Sequence, residues 1–360
     1  MIKCSASQTP ESPFTRIPVA ALIALALVAG CDEGGAGNRA TASSPPKASG
    51  SLEIVVYTSL DEQFAREVLD AYQNRSGQKL AIVFDSEAGK TTGLVRKIEA
   101  EADRPRCDVF FSSELFNTIL LARKGLLEPY DPPAAADIPP RYKDPAHRWT
   151  AIGLRGRVLG FDTGTVEPEA LPSRWEDLAR APIASRLAYA NPLFGTTRGH
   201  VAAMYALWGP ERTRAFLTAL RENQALMLDG NSSAVRAVMG GRMMFCATDT
   251  DDVWVAQRKG ASMDLRYLDM GDGGTLLIPC SVALIRGGPA GEAARPLVDF
   301  LVSAQVERML AKSDSRNIPV RPALREELGM RMPPETKLSF DVIADAMDDA
   351  VQAVRDILIR

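Results

Sequence analysis

From residue 51 onward one pattern repeats: a short β-branched and aromatic run, a polar loop, then an amphipathic helix. Ile54-Val55-Val56-Tyr57 leads through Thr58-Ser59 to a helix with Phe64, Val68, Leu69 and Tyr72 on one face. Leu80 to Phe84 leads through Asp85-Ser86 to a helix containing Leu94 and Ile98. Val109-Phe110-Phe111 leads through Ser112-Ser113-Glu114 to a helix containing Ile119 and Leu120. Continuous apolar strands that each feed a helix predict an α/β chain, with mostly parallel sheets covered by helices on both faces.

The pattern resumes after Gly153. Val158 to Phe161, Leu187 to Ala190, Ala225 to Leu228 and Met243 to Ala247 read as strands. Leu276 to Ile285 is a longer apolar run that crosses back and supports a helix from Ala293 to Leu301. A chain of 360 residues exceeds the usual size of one domain, so two packed lobes are expected. Residues 51–152 and 283–320 form the first lobe, and 153–282 the second. Residues 321–360 are a helical segment packing on the second lobe, with apolar spacing between Phe340 and Ile359. The formal net charge is −3 and no run of five basic residues occurs, which argues against a nucleic-acid surface.

In open parallel sheets, ligands bind beyond the carboxyl ends of strands, against helix N-termini. The polar loops lie at those positions and would converge across a cleft between two lobes. Thr58, Ser59, Ser112 and Ser113 are the first-lobe candidates. Gly195, Thr196, Thr197 and Arg198 open a helix, with a glycine for close backbone approach and donors suited to phosphate or carboxylate. Asn231, Ser232, Thr248 and Thr250 complete the ligand set. Asp249, Asp251 and Asp252, with Glu114 from the other side, suit a hard cation or an amine. Each feature has a structural alternative. Thr196, Thr197, Asn231 and the aspartates are also good helix caps. His200 reads as a packing residue, Trp254 as core, and His147 carries no role.

Residues 1–30 have a basic start (Lys3, Arg16) and an apolar run, Val19 to Val28, too short for a stable span. The run ends in Val28-Ala29-Gly30-Cys31, which resembles the lipobox of bacterial lipoproteins. That resemblance implies cleavage before Cys31 and lipid on it; a plain secretory signal or short anchor is the alternative. Residues 31–50, rich in Gly, Ala, Ser and Pro, read as a flexible tether. Cys107, Cys246 and Cys280 remain in the domain without CxxC spacing, so zinc chemistry is not supported. Buried free thiols are expected, and Cys246 with Cys280 is the pair to test for a disulfide.

Four stretches in order carry a family resemblance: VVYTSLDEQFAREVLDAYQNRSG, DVFFSSELFNTILLARKGLLEPY, RWEDLARAPIASRLAYANPLFGTTRGH and NSSAVRAVMGGRMMFCATDTDDVWVA. Over residues 51–330 the chain resembles the ferric-iron-type periplasmic binding proteins, type 2 solute-binding proteins of ABC importers. The resemblance implies a two-lobed clamshell at the periplasm or cell surface. It further implies a monomer with an ABC permease and ATPase as partners, and hinge strands near Ile152 to Arg157 and Ile278 to Leu284 that close around the ligand. In that family a phosphate-like anion sits on a loop matched here by Gly195, Thr196 and Thr197, assisted by Asn231. The metal-binding tyrosine positions fall on Thr250 and Asp251, the histidine position near Asp61, and the glutamate position on Ser113, one residue before Glu114. None of the seven tyrosines lies in TDTDD, so the anion shelf carries over and the tyrosine-based iron site does not.

These readings predict a binding protein, not an enzyme, with no resident cofactor and no nucleic-acid partner. The expected cargo is ferric iron with a phosphate- or carbonate-like anion. The alternative is a phosphorylated or carboxylated small molecule without metal. A metal-dependent hydrolase or a ligand-free scaffold fits less well, since no HExxH, GxSxG or Walker-type motif occurs.

Overall fold

The computed structural model describes residues 53–85 and 91–359. The expected signal segment, the expected tether with its candidate lipidation site Cys31, and Ser86 lie outside the described residues. The first unit runs β1 (Ile54–Thr58), α1 (Glu62–Ser76), β2 (Leu80–Phe84), α2 (Thr92–Ala100), β3 (Val109–Ser112), α3 (Phe116–Arg123), β4 (Leu127–Glu128). Helix α1 buries Phe64, Ala65, Val68, Leu69 and Tyr72, the stripe expected from its spacing, and Gly77 ends it in the left-handed region at φ 71°.

The 13-residue β5 (Thr150–Asp162) follows. Next come α4 (Ala181–Ala184), β6 (Leu187–Ala190), α5 (Gly195–Trp208), α6 (Pro210–Glu222), β7 (Leu226–Leu228) and α7 (Asn231–Met239). After them lie β8 (Phe245–Asp249), α8 (Thr250–Arg258), β9 (Met263–Tyr267) and β10 (Leu277–Ile285). The chain ends with α9 (Arg295–Leu301), α10 (Ala304–Lys312), α11 (Pro322–Glu327), α12 (Phe340–Asp345) and α13 (Met347–Leu358).

One half-sheet has the order β2-β1-β3-β10-β5 and the other β5-β8-β6-β7, giving a two-lobed α/β fold. The pairs β1–β2, β1–β3, β6–β7 and β6–β8 are parallel, as the strand–helix alternation requires. Strand β10 instead runs antiparallel to β3 and β5, and β5 runs antiparallel to β8 and β9. The expected lobe limits at 152/153 and 282/283 therefore fall inside strands: both half-sheets share β5, and β10 is paired along its length. The irregularity lies within them. Gly153 has φ 50°, and the β5–β10 register shifts between Pro279 and Cys280.

The stretch from Phe340 to Ile359 is two helices rather than one, and it does not pack on the second lobe alone. Helix α12 lies on α3 and α5, and Phe340 meets Phe116 of α3 edge-on at 6.3 Å. Helix α13 lies on α5 and α6. The three described cysteines are buried and free. Cys246 sits on β8 opposite Gly160 and Cys280 on β10 beside Ile152, so β5 separates them and no disulfide spans that distance. Among the described residues no helix is long and apolar enough to cross a membrane.

Candidate functional site

Strand β5 contributes the floor. Arg155 and Arg157 are two residues apart, so their side chains share one face. They are only 7% and 1% exposed, which requires partners for both charges. Those partners come from the β8–α8 junction. Arg157 donates from Nη1 to Oδ1 of Asp249 at 2.8 Å. Arg155 donates from Nη1 to Oδ2 of Asp251 at 2.9 Å, and from Nη2 to the carbonyl of Ser113. Arg155 thus joins the β3 loop of the first half to the α8 start of the second.

The other oxygen of Asp249 accepts from Thr196 Oγ1 at 2.6 Å and from Asn231 Nδ2 at 3.0 Å. Burial raises the Asp249 carboxyl, but Arg157, Arg155 and the Thr196 hydroxyl outweigh it, and its pKa is lowered overall. Asp251 shifts the other way. Burial and the charges of Asp249 and Asp61 raise it, against Arg155. Asp251 Oδ1 and Arg155 Nε are buried without a hydrogen-bond partner among the described residues.

Helix α5 opens on this cluster. Its N-cap position is Phe194, which supplies no side-chain cap, and Gly195 follows at φ 53°. The first N–H groups of the helix, at Gly195, Thr196 and Thr197, have no intrahelical acceptor, and all three residues line the cleft. A chamber of about 30 Å³ lies among Asp61, Ser113, Arg155, Gly195, Thr196, Thr197, Asn231, Asp249, Asp251 and Asp252. That is room for little more than one or two waters. Apart from Arg155 within β5, the wall residues lie at the carboxyl end of a strand, in the loop that follows it, or in the first turn of the next helix.

Of the expected ligand residues, Ser113, Gly195, Thr196, Thr197 and Asn231 line the chamber, and so do Asp249, Asp251 and Asp252. The others are set behind it. Thr58 Oγ1 accepts from Leu60 N at 3.2 Å, and Ser59 Oγ accepts from Ser113 N at 2.9 Å. Ser112 Oγ donates to the carbonyl of Glu114 at 2.7 Å. Thr248 Oγ1 donates to Asp252 at 2.8 Å, and Thr250 Oγ1 accepts from Gly156 N at 3.2 Å. Ser232 borders a neighbouring cavity instead.

Two expectations need correction. Glu114 is fully buried away from the chamber and holds the start of α3. It accepts from Phe116 N at 2.7 Å and from Asn117 Nδ2 at 2.8 Å, so it cannot reach a cation there. Arg198 turns away from its threonine neighbours and donates to Asn117 Oδ1 of α3 at 3.1 Å. One helical step of about 100° per residue separates its direction from that of Thr197. His200 packs edge-on against Trp175 at 4.1 Å, and burial with the nearby Arg157 lowers its pKa well below the ordinary value. Trp254 lies under Arg316, whose guanidinium is 5.1 Å from the ring centroid. The arginines of β5 were not among the sequence candidates. The available signal was Arg-Gly-Arg inside an otherwise apolar strand.

Comparisons with known proteins agree with this architecture. Residues 104–341 match the family described as bacterial extracellular solute-binding protein. Iron uptake protein A1 of Synechocystis is 24% identical over 272 residues, covering 73% of this chain and 74% of that protein. A periplasmic protein of Salmonella typhi named for 2-aminoethylphosphonate binding is 22% identical over 289 residues, covering 78% and 82%. Among solved structures, iron-bound HitA from Pseudomonas aeruginosa superposes with a TM-score of 0.75 at 23% identity, over 85% of this chain and 99% of that one. The chain belongs to the bacterial extracellular solute-binding proteins, the periplasmic solute-capturing components of ABC importers, which work with permease and ATPase subunits.

Proposed function

We propose that the cargo is a small organic zwitterion carrying an oxyanion and a cationic nitrogen, of the aminophosphonate type, bound without a metal. The observation that carries this reading is the charge pattern of the chamber. Arg155 and Arg157 are taken up by Asp251 and Asp249, which leaves one carboxylate oxygen, Asp251 Oδ1, without a donor beside the N–H groups that open α5. A bare anion would leave that oxygen without a donor. A bare cation would leave the N–H groups of α5 without an acceptor. A zwitterion satisfies both, with its oxyanion at Gly195 to Thr197 and its ammonium at the partnerless oxygen of Asp251. The Salmonella relative's name gives the same ligand chemistry.

Ferric iron with a phosphate- or carbonate-like anion is the second reading. Carboxylate oxygens of Asp249, Asp251 and Asp252 lie within 4.8 Å of one another, which favours it. Against it, Asp249 has both oxygens committed, to Arg157 and to Thr196 with Asn231, and no tyrosine lines the chamber. Iron would have to displace those bonds. The paired charges and the family support a binder and not a catalyst. We further infer that residues 1–30 are removed and that lipid on Cys31, through the 31–50 tether, holds the monomeric protein to a bacterial membrane.

The test is thermal melting of the purified protein with 2-aminoethylphosphonate, inorganic phosphate, citrate or ferric citrate. A ligand at a hundred times its Kd stabilises by about 2.7 kcal/mol. A shift with the aminophosphonate that disappears in Asp251→Asn is expected. A shift with ferric citrate alone would replace the zwitterion by iron.

A further inference from the structure

We infer that a second cavity beside the chamber is a subsite for an apolar substituent on the cargo's nitrogen; this rests on the organic-zwitterion reading. The cavity has a volume of about 290 Å³ and shares Asp61, Asp251 and Asp252 with the chamber. Beyond those carboxylates its apolar walls are Phe64 of α1, Val235 and Met239 of α7, and Val255 and Ala256 of α8, with Gln63 and Ser232 as polar neighbours. It therefore draws on both halves of the fold, as the chamber does. Met239 is 46% exposed and is one of few large apolar side chains left to solvent among the described residues. A thioether side chain of this kind adapts to varied apolar partners.

The two cavities differ in size and lining, and the difference assigns their roles. The chamber, at about 30 Å³, takes the oxyanion head and little else. The rest of an organic molecule extends beyond it, and the larger space adjoins the chamber at Asp61, Asp251 and Asp252, which line both. Asp251, only 5% exposed and with Oδ1 buried and partnerless, is one of the residues of that shared wall. A nitrogen held there has its oxyanion on one side and apolar walls on the other. The cargo class is thus an N-alkylated or N-arylated amino-phosphonate or amino-phosphate, with the nitrogen at the neck. Arg236 and Lys259 also line the cavity.

Titration calorimetry with 2-aminoethylphosphonate and its N-methyl, N-propyl and N-benzyl derivatives tests this. Each methylene moved from water into the apolar cavity strengthens binding by about fourfold at full burial. N-propyl is expected to bind at least ~10-fold tighter than the parent, allowing for partial burial. In Met239→Gln that ratio falls at least ~3-fold, and in Met239→Leu it is kept. Because Met239 is exposed, neither change threatens folding, and a melting curve verifies this. A flat or inverted series in the unsubstituted protein, or a ratio unmoved in Met239→Gln, overturns the subsite while leaving the zwitterion reading in place. Failure of every member to bind overturns both.

Discussion

Asp249→Asn places the heaviest demand on the reasoning about the site. Arg157 is 1% exposed, and Asp249 is its only carboxylate partner within 4 Å among the described residues. Its other contacts, to Thr196, Asn231 and His200, are neutral and span 3.3–3.4 Å. Removing the carboxylate charge leaves a buried guanidinium with neutral partners only. Breaking a buried pair from one side costs about 3–5 kcal/mol. For a large domain each kcal/mol moves Tm by roughly 2–4 °C, so the expected loss is on the order of 10 °C. Circular dichroism melts of Asp249→Asn, Arg157→Met and the double variant give a full cycle. The double variant is expected to melt within a few degrees of the parent, because replacing both charges removes the desolvation cost along with the attraction. An Asp249→Asn protein that melts like the parent would refute the pairing as the support of the floor. So would a double variant that loses the sum of the single losses.

The same pair predicts an acid limit. The Asp249 pKa is lowered on folding, so its stabilisation is fully present above the ordinary carboxylate value of about 4 and is lost as pH falls further. Asp251 and Glu114 are raised by burial and act oppositely, since protonating them relieves a cost of folding. Denaturant titrations from pH 6 to 3 should show stability falling in the parent, with a shallower fall in the double variant; equal slopes would contradict this. Gly195→Ala is a second case. No atom lies within 4 Å of the added methyl, so the cost is backbone strain at φ 53° alone, about 1–2 kcal/mol. Because that strain is relieved by tilting the first turn of α5, affinity for 2-aminoethylphosphonate should drop as well, and an unchanged Kd would show that this turn does not hold the oxyanion.

Most strands were legible because each is a compact apolar run: β1, β2, β3 and β6 begin and end close to their expected limits. The first half of β5 was expected as a hinge strand near Ile152 to Arg157 but not as continuous with Val158 to Phe161, for a physical reason. Residues 150–157 mix Thr, Gly and Arg with apolar residues, and only pairing with β10 makes that stretch a strand. The converging loops were readable because strand ends and helix starts determine them. Which side chain in each loop turns into the cleft was not. Glu114 and Ser113 are adjacent, yet one caps α3 and the other lines the chamber, a choice made by Phe116 and Asn117 N–H groups that need an acceptor. Arg155 and Arg157 were hidden because a charge in a strand signals a buried partner without naming it.

Strand β5 belongs to both half-sheets and also carries the floor of the chamber. Arg155 stands two residues past Gly153 and holds a carbonyl of one half and a carboxylate of the other. A beam that is at once axle and sensor cannot turn without shifting what it senses. Any rotation of the halves about Gly153 stretches or relaxes the contacts of Arg155. Recognition and closure are then one thermodynamic coordinate. If the halves turn there, a substitution that retunes the floor for a new cargo would also shift the balance between their positions.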